Sequence, residues 1–304
     1  MKRVLKVTGI VLVFLILLIT LLLAYVYTAS TSRMNADFHI EMAQLNVPTD
    51  SLSIARGKYL FTTRGCVDCH GEDLGGKVFA EDPGIGFFYG PNLTTGVQGI
   101  GTTYSNEDID RVIRHAVKKN GKPVRFMPSM DWAHFSDSDI AELIAYIRSV
   151  PPVNSDFPPI KVGPLGRALF LAGEFPLLHA ELIDHEMERP ATIVEEVSIE
   201  YGSYITATCM GCHGNSLTGG PIPGTPPDWP PASNITPDPV NGLGTWTEED
   251  FFRAMREGKR PDGSDISPIM PWMYTREMND TEISAIWTYL RSLDVVTTSE
   301  LIRD

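Results

Sequence analysis

The chain contains four cysteines, and all of them fall in one five-residue pattern that occurs twice: Cys66-Val67-Asp68-Cys69-His70 and Cys209-Met210-Gly211-Cys212-His213. Cys-x-x-Cys-His is the pattern through which c-type haem is attached. One helical turn sets the two sulfurs along one porphyrin edge, where they bond covalently to the vinyl groups, and swings the adjoining histidine beneath the iron. Two such patterns imply two covalently bound haem c groups. Cys66, Cys69, Cys209 and Cys212 are then the attachment thiols, and His70 and His213 the iron ligands. A zinc site drawing on both cysteine pairs is the competing use of these residues, but it leaves the two matching histidines without a role.

An iron held by one histidine either takes a sixth ligand from the protein or keeps a position open to small molecules. A ligand used by both halves should recur at the same distance after each motif, and methionine does: Phe126-Met127-Pro128-Ser129-Met130 answers Ile269-Met270-Pro271-Trp272-Met273. A thioether is a soft, neutral ligand that favours reduced iron and raises the potential relative to a second histidine. Each loop offers two methionines. Met127 and Met270 are preferred over Met130 and Met273, because the following proline restrains their backbone to an extended form. The alternative for all four is gap-filling in a core. His115, His134, His179 and His185 have no counterpart in the other copy, so a shared coordination scheme cannot use them; they are expected at the surface or in packing.

The elements that position these residues are helical by pattern. A helix beginning near Thr49 or Ser51 and ending near Thr63 delivers the chain into Cys66. Ser105 with Asp108 forms a capping-box pattern ahead of Ile109, Val112, Ile113 and Ala116. A further helix starts near Ser136, presents Ile140, Leu143, Ile144 and Ile147, and stops at Pro151-Pro152. Residues 71–103 carry Pro83-Gly84 and Gly90-Pro91 and read as loop wrapped around a cofactor. The second half repeats the plan with a period of about 143 residues: Tyr201-Gly202-Ser203-Tyr204 before Cys209, Thr247 with Asp250, then Ile283, Ile286, Trp287 and Leu290. Even the endings agree, Ala145-Tyr146-Ile147-Arg148-Ser149 against Thr288-Tyr289-Leu290-Arg291-Ser292.

These motifs resemble the small all-helical c-type cytochromes, and their duplication resembles the dihaem and multihaem cytochrome subunits that accompany membrane dehydrogenases. The resemblance covers nearly all of residues 50–294. It implies an all-α fold of two tandem cytochrome c-type domains with long haem-wrapping loops, to which the apolar N-terminal run adds one transmembrane helix. It also implies that the first and last helices of each domain cross at a glycine against an aromatic, Gly57 with Tyr146 and Gly202 with Tyr289. In that family a Gly-Pro-Asn-Leu loop offers a carbonyl to the free N–H of the haem histidine. Gly90-Pro91-Asn92-Leu93 matches it, whereas the second copy reads Ala232-Ser233-Asn234-Ile235. Asn92-Leu93-Thr94 and Asn234-Ile235-Thr236 also fit a glycosylation pattern, for which a structural loop is the better account. Arg114 and Arg256 recur on the middle helix, either as partners of haem propionates or as a solvated face; Tyr104 and Trp246 are pocket walls or ordinary core.

The expected organisation is an anchor at 1–32, a first domain at 45–152, a linker at 153–195 and a second domain at 196–297. Residues 7–26 are almost wholly apolar, enough to cross a bilayer core of about 30 Å, with no evident cleavage site, so an uncleaved anchor is expected. Lys2, Arg3 and Lys6 precede the span and place the N-terminus in the cytoplasm, with both domains on the periplasmic or extracytoplasmic side of the cytoplasmic membrane. Residues 30–50 are expected to be a tether. The run from Leu165 to Leu178 is expected as a strap across the two domains, or else as an interfacial helix. A net charge of −13 makes nucleic acid an unfavourable partner; it serves solubility or docking to a basic protein. The reading of function is a membrane-anchored electron carrier between a dehydrogenase or quinol-linked donor and a downstream cytochrome or oxidase. A dihaem enzyme such as a peroxidase, needing an open iron position, is the alternative.

Overall fold

The computed structural model describes residues 1–295; the expected second-domain end at 297 lies outside the described residues. The chain opens with α1 (Lys2–Met34), of which residues 2–25 are exposed throughout. Among the described residues it is the one helix long and apolar enough to cross a membrane. At its far end Ser30 and Met34 are buried.

Each half then builds the same helical frame. In the first, α2 (Ser51–Thr63) leads into α3 (Cys66–His70), followed by α4 (Asn106–His115) and α5 (Asp137–Ser149). In the second, α7 (Ile199–Thr206), α8 (Met210–His213), α9 (Glu248–Glu257) and α11 (Asp280–Ser292) take those roles, with a short α10 (Trp272–Thr275) in the methionine loop. The starts are fixed by side chains that satisfy free N–H groups of the first turn: Asp50 for α2, Ser136 for α5 and Asn279 for α11. Complete capping boxes, Ser105 with Asp108 and Thr247 with Asp250, begin α4 and α9.

The apolar stripes meet in two cores, one around Leu60, Phe61, Ile109, Ile144 and Ile147, the other around Tyr201, Ile205, Phe251, Ile286 and Leu290. Both cores depend on a close helix crossing. A Cβ on Gly57 would stand 1.9 Å from the Glu142 carbonyl oxygen and 2.9 Å from Tyr146 Cβ; on Gly202 it would stand 2.0 Å from the Ala285 oxygen and 2.7 Å from Tyr289 Cβ. The glycine-against-aromatic crossings expected from sequence are therefore present in both halves.

Two expectations are corrected. Residues 71–103 are not all loop: β1 (Lys77–Asp82) and β2 (Gly86–Gly90) form an antiparallel hairpin, joined on the far edge of β2 by β3 (Lys161–Val162). Its turn is set by Asp82, whose carboxylate accepts the N–H groups of Gly84 and Ile85 at 2.8 and 2.7 Å. Aromatic residues in the short strands outweigh the flanking turn signals: buried Phe88 packs on Phe126 and Phe175 at centroid distances of 4.5 and 5.7 Å. The fold is thus two helical domains with a small three-stranded sheet added to the first.

The second correction concerns the tether. Residues 30–34 continue α1, and α6 (Pro164–Ala172) packs against them. Arg167 donates to the Ser30 and Thr31 hydroxyls at 2.8 and 3.0 Å, and the Arg33 guanidinium sits 4.1 Å over the Phe170 ring and pairs with Glu181. The 165–178 run, expected as a strap, joins α1 to the first domain, burying Phe170, Phe175, Leu177 and Leu178 with Met34 and Phe88, and also reaches the second half, where a Cβ on Gly224 would stand 3.0 Å from Pro176 and 3.2 Å from Phe175.

Candidate haem sites

The first pattern forms the one-turn helix α3 at the end of α2, and the second forms α8 after a short turn at Ala207–Cys209. Both turn away at a glycine in the left-handed region, Gly71 at φ 76° and Gly214 at φ 75°. The histidine rings are held the same way. His70 Nδ1 lies 3.0 Å from the Pro91 carbonyl oxygen and His213 Nδ1 lies 2.7 Å from that of Ser233. A carbonyl can only accept, so each Nδ1 carries the proton and each Nε2 keeps its lone pair for a metal. Burial holds both imidazoles below their usual range, which keeps them neutral as ligation requires. The second copy keeps its carbonyl although it lacks the proline.

Asn92 is buried and fully engaged. Its Oδ1 accepts from the Thr94 N–H and hydroxyl, both at 2.8 Å, and its Nδ2 donates to the Val153 oxygen at 2.7 Å. Asn234 repeats the bonds to Thr236 at 2.8 and 2.7 Å. Both residues stiffen the loop that carries the histidine's acceptor.

The methionine loops share one conformation. Pro128 has φ −78° and ψ 52°, Pro271 −79° and 51°. The Met127 oxygen accepts from Ser129 N at 2.8 Å, the Met270 oxygen from Trp272 N at 2.7 Å. Each loop is tied to the middle helix: Ser129 Oγ donates to the Val112 oxygen at 2.9 Å and Thr275 Oγ1 to the Met255 oxygen at 3.0 Å. Met127 is half-buried, whereas Met130 is exposed and its N–H donates to His179 Nδ1 at 3.3 Å.

In the second half a cavity of about 290 Å³ brings the pieces together. Cys209, Cys212, His213 and Met270 line it with largely apolar neighbours such as Trp246 and Leu290, and Met273 does not. A slot that presents two thiols, an imidazole and a thioether against an apolar wall fits a porphyrin with its iron. Burial pushes the thiols of Cys66 up to about 12 and of Cys69 and Cys209 to about 11, so they are not poised as thiolates. Among the described residues no three His, Cys, Asp or Glu side chains converge into a metal-holding cluster. The arrangement thus does not build the tetrathiolate that a shared zinc site needs.

Other sequence candidates fall elsewhere. Arg114 neither meets solvent nor stands free for a propionate: it is buried, paired with Asp110 and, at 2.7 Å, with Asp137. Arg256 is bound to the Arg276 carbonyl and, at 2.7 Å, to Asp280. Trp246 lines the cavity, while Tyr104 packs on the first core. His115 is buried with its Nδ1 3.1 Å from that of His185, and His134 bonds the Tyr204 oxygen at 2.8 Å, so these serve packing.

Sequence reasoning missed Arg260, which lines the cavity beside Met270. It also missed the polar cluster between the halves, where Arg64 and Glu282 are buried as a pair at 2.6 Å. Arg64 stands two residues before Cys66, the one signal that could have drawn attention to it. Phe126, the residue before Met127, adopts φ 71° and is gripped by Phe79, Phe88 and Phe175 at 4.9, 4.5 and 5.9 Å. Hairpin and linker thus buttress the loop that carries Met127.

Comparison with known proteins agrees with this geometry. The profile of the cytochrome c family matches twice, at residues 54–151 and 199–294. The gluconate 2-dehydrogenase cytochrome c subunit of Pantoea cypripedii is 30% identical over 277 residues, covering 82% of this chain and 61% of that protein. The fructose dehydrogenase cytochrome subunit of Gluconobacter japonicus is 28% identical over 272 residues, 79% of this chain and 52% of its own length. A dihaem cytochrome c-type protein of Cereibacter sphaeroides is 26% identical over 271 residues, 80% of this chain and 86% of that protein. The chain therefore spans about half to three-fifths of the length of its dehydrogenase-subunit relatives. It belongs to the cytochrome c family, with two tandem cytochrome c domains for two haem c groups.

Proposed function

We propose that the chain is a membrane-anchored dihaem electron carrier that works as the cytochrome partner of a dehydrogenase or quinol-linked donor and passes electrons to a downstream cytochrome or oxidase. Cys66, Cys69, Cys209 and Cys212 attach the haems, and the irons are held by His70 with Met127 and by His213 with Met270. The observation that carries this is the convergence of His213 and Met270 on one cavity of the second half, with the histidine's Nδ1 tied to a carbonyl. The same loop conformation around Met127 supports the same arrangement in the first half.

When bound, the groups supply reversible one-electron chemistry. The protein's part is to fix the ligands and exclude water. Pro91 and Ser233 orient the imidazoles, the proline-restrained loops set the height of the thioethers, and the apolar wall favours the less charged, reduced state. Lys2, Arg3 and Lys6 orient the anchor so that both domains lie on the periplasmic side. The docking of α6 onto the end of α1 supports a first domain held close to the membrane surface, where a membrane dehydrogenase or quinol-linked donor sits.

Carbon monoxide binding to the reduced, haem-loaded protein tests the reading. A sealed His/Met site resists the gas at both centres. Prompt binding at either would favour the peroxidase-type alternative, and affinity isolation from membranes then identifies the donor.

A further inference from the structure

The two halves touch through reciprocal contacts. Tyr59 on α2 hydrogen-bonds Glu282 in the first turn of α11 and accepts the Asn279 N–H at 2.7 Å. Tyr204, at the equivalent place on α7, donates to Asp139 in the first turn of α5 at 2.6 Å and accepts the Ser136 N–H at 2.9 Å. Asp139 and Glu282 stand one repeat period apart, as do Ser136 and Asn279. The methionine loops cross in the same manner. Tyr274 donates to Asp68 of α3 at 2.8 Å, and its counterpart Asp131 lies so close to α8 that a Cβ on Gly211 would stand 2.8 Å from its carboxylate. Reciprocity of this kind is how a two-fold dimer is built. Here it turns each haem-attachment helix toward the opposite half.

Arg64 breaks the symmetry, since the repeat places Ala207 opposite it. Its side chain is 1% exposed and donates to Glu282, itself 0% exposed, at 2.6 Å. Burial alone would raise the Glu282 carboxyl, but Arg64, Tyr59 and Arg56 outweigh it and hold the group ionised. Arg64 stands two residues before Cys66, and the Glu282 carboxylate it meets also accepts from the Tyr201 hydroxyl of the second half at 3.2 Å, so the guanidinium lies at the seam between the halves.

We propose that Arg64 and Glu282 are a tuning pair shared by the two haem sites, in which a carboxylate of the second half fixes the position and net charge of a guanidinium at the first attachment motif and so sets the reduction potential of the first centre. The proposal rests on the reading of Cys66–His70 as a haem site. A positive charge near an iron favours its reduced form, and charge, hydrogen bonding and burial are the levers a protein has on such a potential. Glu282 now neutralises that charge from the other domain, which makes the two halves one electrostatic unit.

The test is an equilibrium redox titration of the full-length, haem-loaded protein in detergent, following each centre by its absorption. Glu282→Gln unmasks Arg64 and is expected to raise the first midpoint; Arg64→Gln leaves the carboxylate unpaired and is expected to lower it. The double variant is expected to fall between the two, a coupling that a double-mutant cycle reads directly. Glu282→Asp, the residue that the equivalent position carries in the first half, keeps the charge and is expected to restore the native midpoint. Unmoved midpoints in both single variants, or shifts of one sign in both, overturn the proposal. Should Glu282→Gln fail to assemble, the neutral double variant against Arg64→Gln carries the same test, with the double expected higher. A preparation without covalent haem sinks the site reading instead, whereas two bound haems with unmoved midpoints sink the pair alone.

Discussion

Alanine in a helix interior ordinarily gains about 1 kcal/mol over glycine, so Gly57→Ala would stabilise α2 in isolation. In the folded chain the sign reverses. The added methyl carbon would stand 1.9 Å from the Glu142 carbonyl oxygen, which is backbone of α5 and cannot rotate aside, and 2.9 Å from Tyr146 Cβ. An ordinary contact needs about 3.4–4 Å, so α2 and α5 must part by more than an ångström along a crossing packed by Leu60, Phe61, Ile144 and Ile147. Overpacking of this kind costs about 1–3 kcal/mol, and with a backbone obstacle the upper end applies. At about 4–8 °C per kcal/mol for a domain of some 100 residues, the unfolding temperature of the first domain should fall by roughly 10–20 °C. Scanning calorimetry of the haem-loaded protein reads the change, with Gly202→Ala as its counterpart in the second domain. A Gly57→Ala protein that melts at or above the wild type would refute the claim that the crossing is what glycine is there for.

Other outcomes follow from particular contacts. Met270→Ala should abolish the methionine-to-iron charge-transfer band of the second centre and lower its potential, while Met273→Ala should leave both in place; visible spectroscopy of the oxidised protein separates the two. Asn92→Ala removes the acceptor for Thr94 and the donor to Val153 and should cost about 1–3 kcal/mol in chemical denaturation. Burial, with Arg189 and His185 nearby, holds the His115 imidazole down at about 3. The neutral ring is thus kept in the fold while the unfolded chain takes up a proton. Its contribution to stability is complete above pH 6.5 and is lost as pH falls toward 3. Replacing His115 by glutamine should flatten the pH dependence of the unfolding free energy in that window.

How much of this was legible follows the range of each interaction. Caps and apolar faces are local, so α4, α5 and α9 could be placed from Ser105, Ser136 and Thr247 and α11 from its apolar spacing, whereas the start of α2 was placed to within a residue of its actual cap, Asp50. The duplication made the two methionine loops visible by comparison within the chain, and their matching backbone angles agree with that comparison. The hairpin was missed because its strands are five and six residues long between strong turn signals, and their aromatic pattern gains meaning only when Phe88 meets Phe126 and Phe175. Arg114 was misread although Asp110, its partner, stands one helical turn earlier. The pairing of Tyr59 and Arg64 with Glu282 had no signature beyond the place of Arg64 before Cys66, because residues more than two hundred positions apart meet only once the halves dock.

The central claim is that two haems are held covalently, each iron closed between an imidazole and a thioether. The direct measurement is the haem content of the purified, acid-acetone-extracted chain, taken with the carbon monoxide response of the reduced native protein. The account predicts two haems per chain that resist extraction and two centres that do not bind the gas. Haem that washes out, a single haem, or prompt binding at either centre would contradict it.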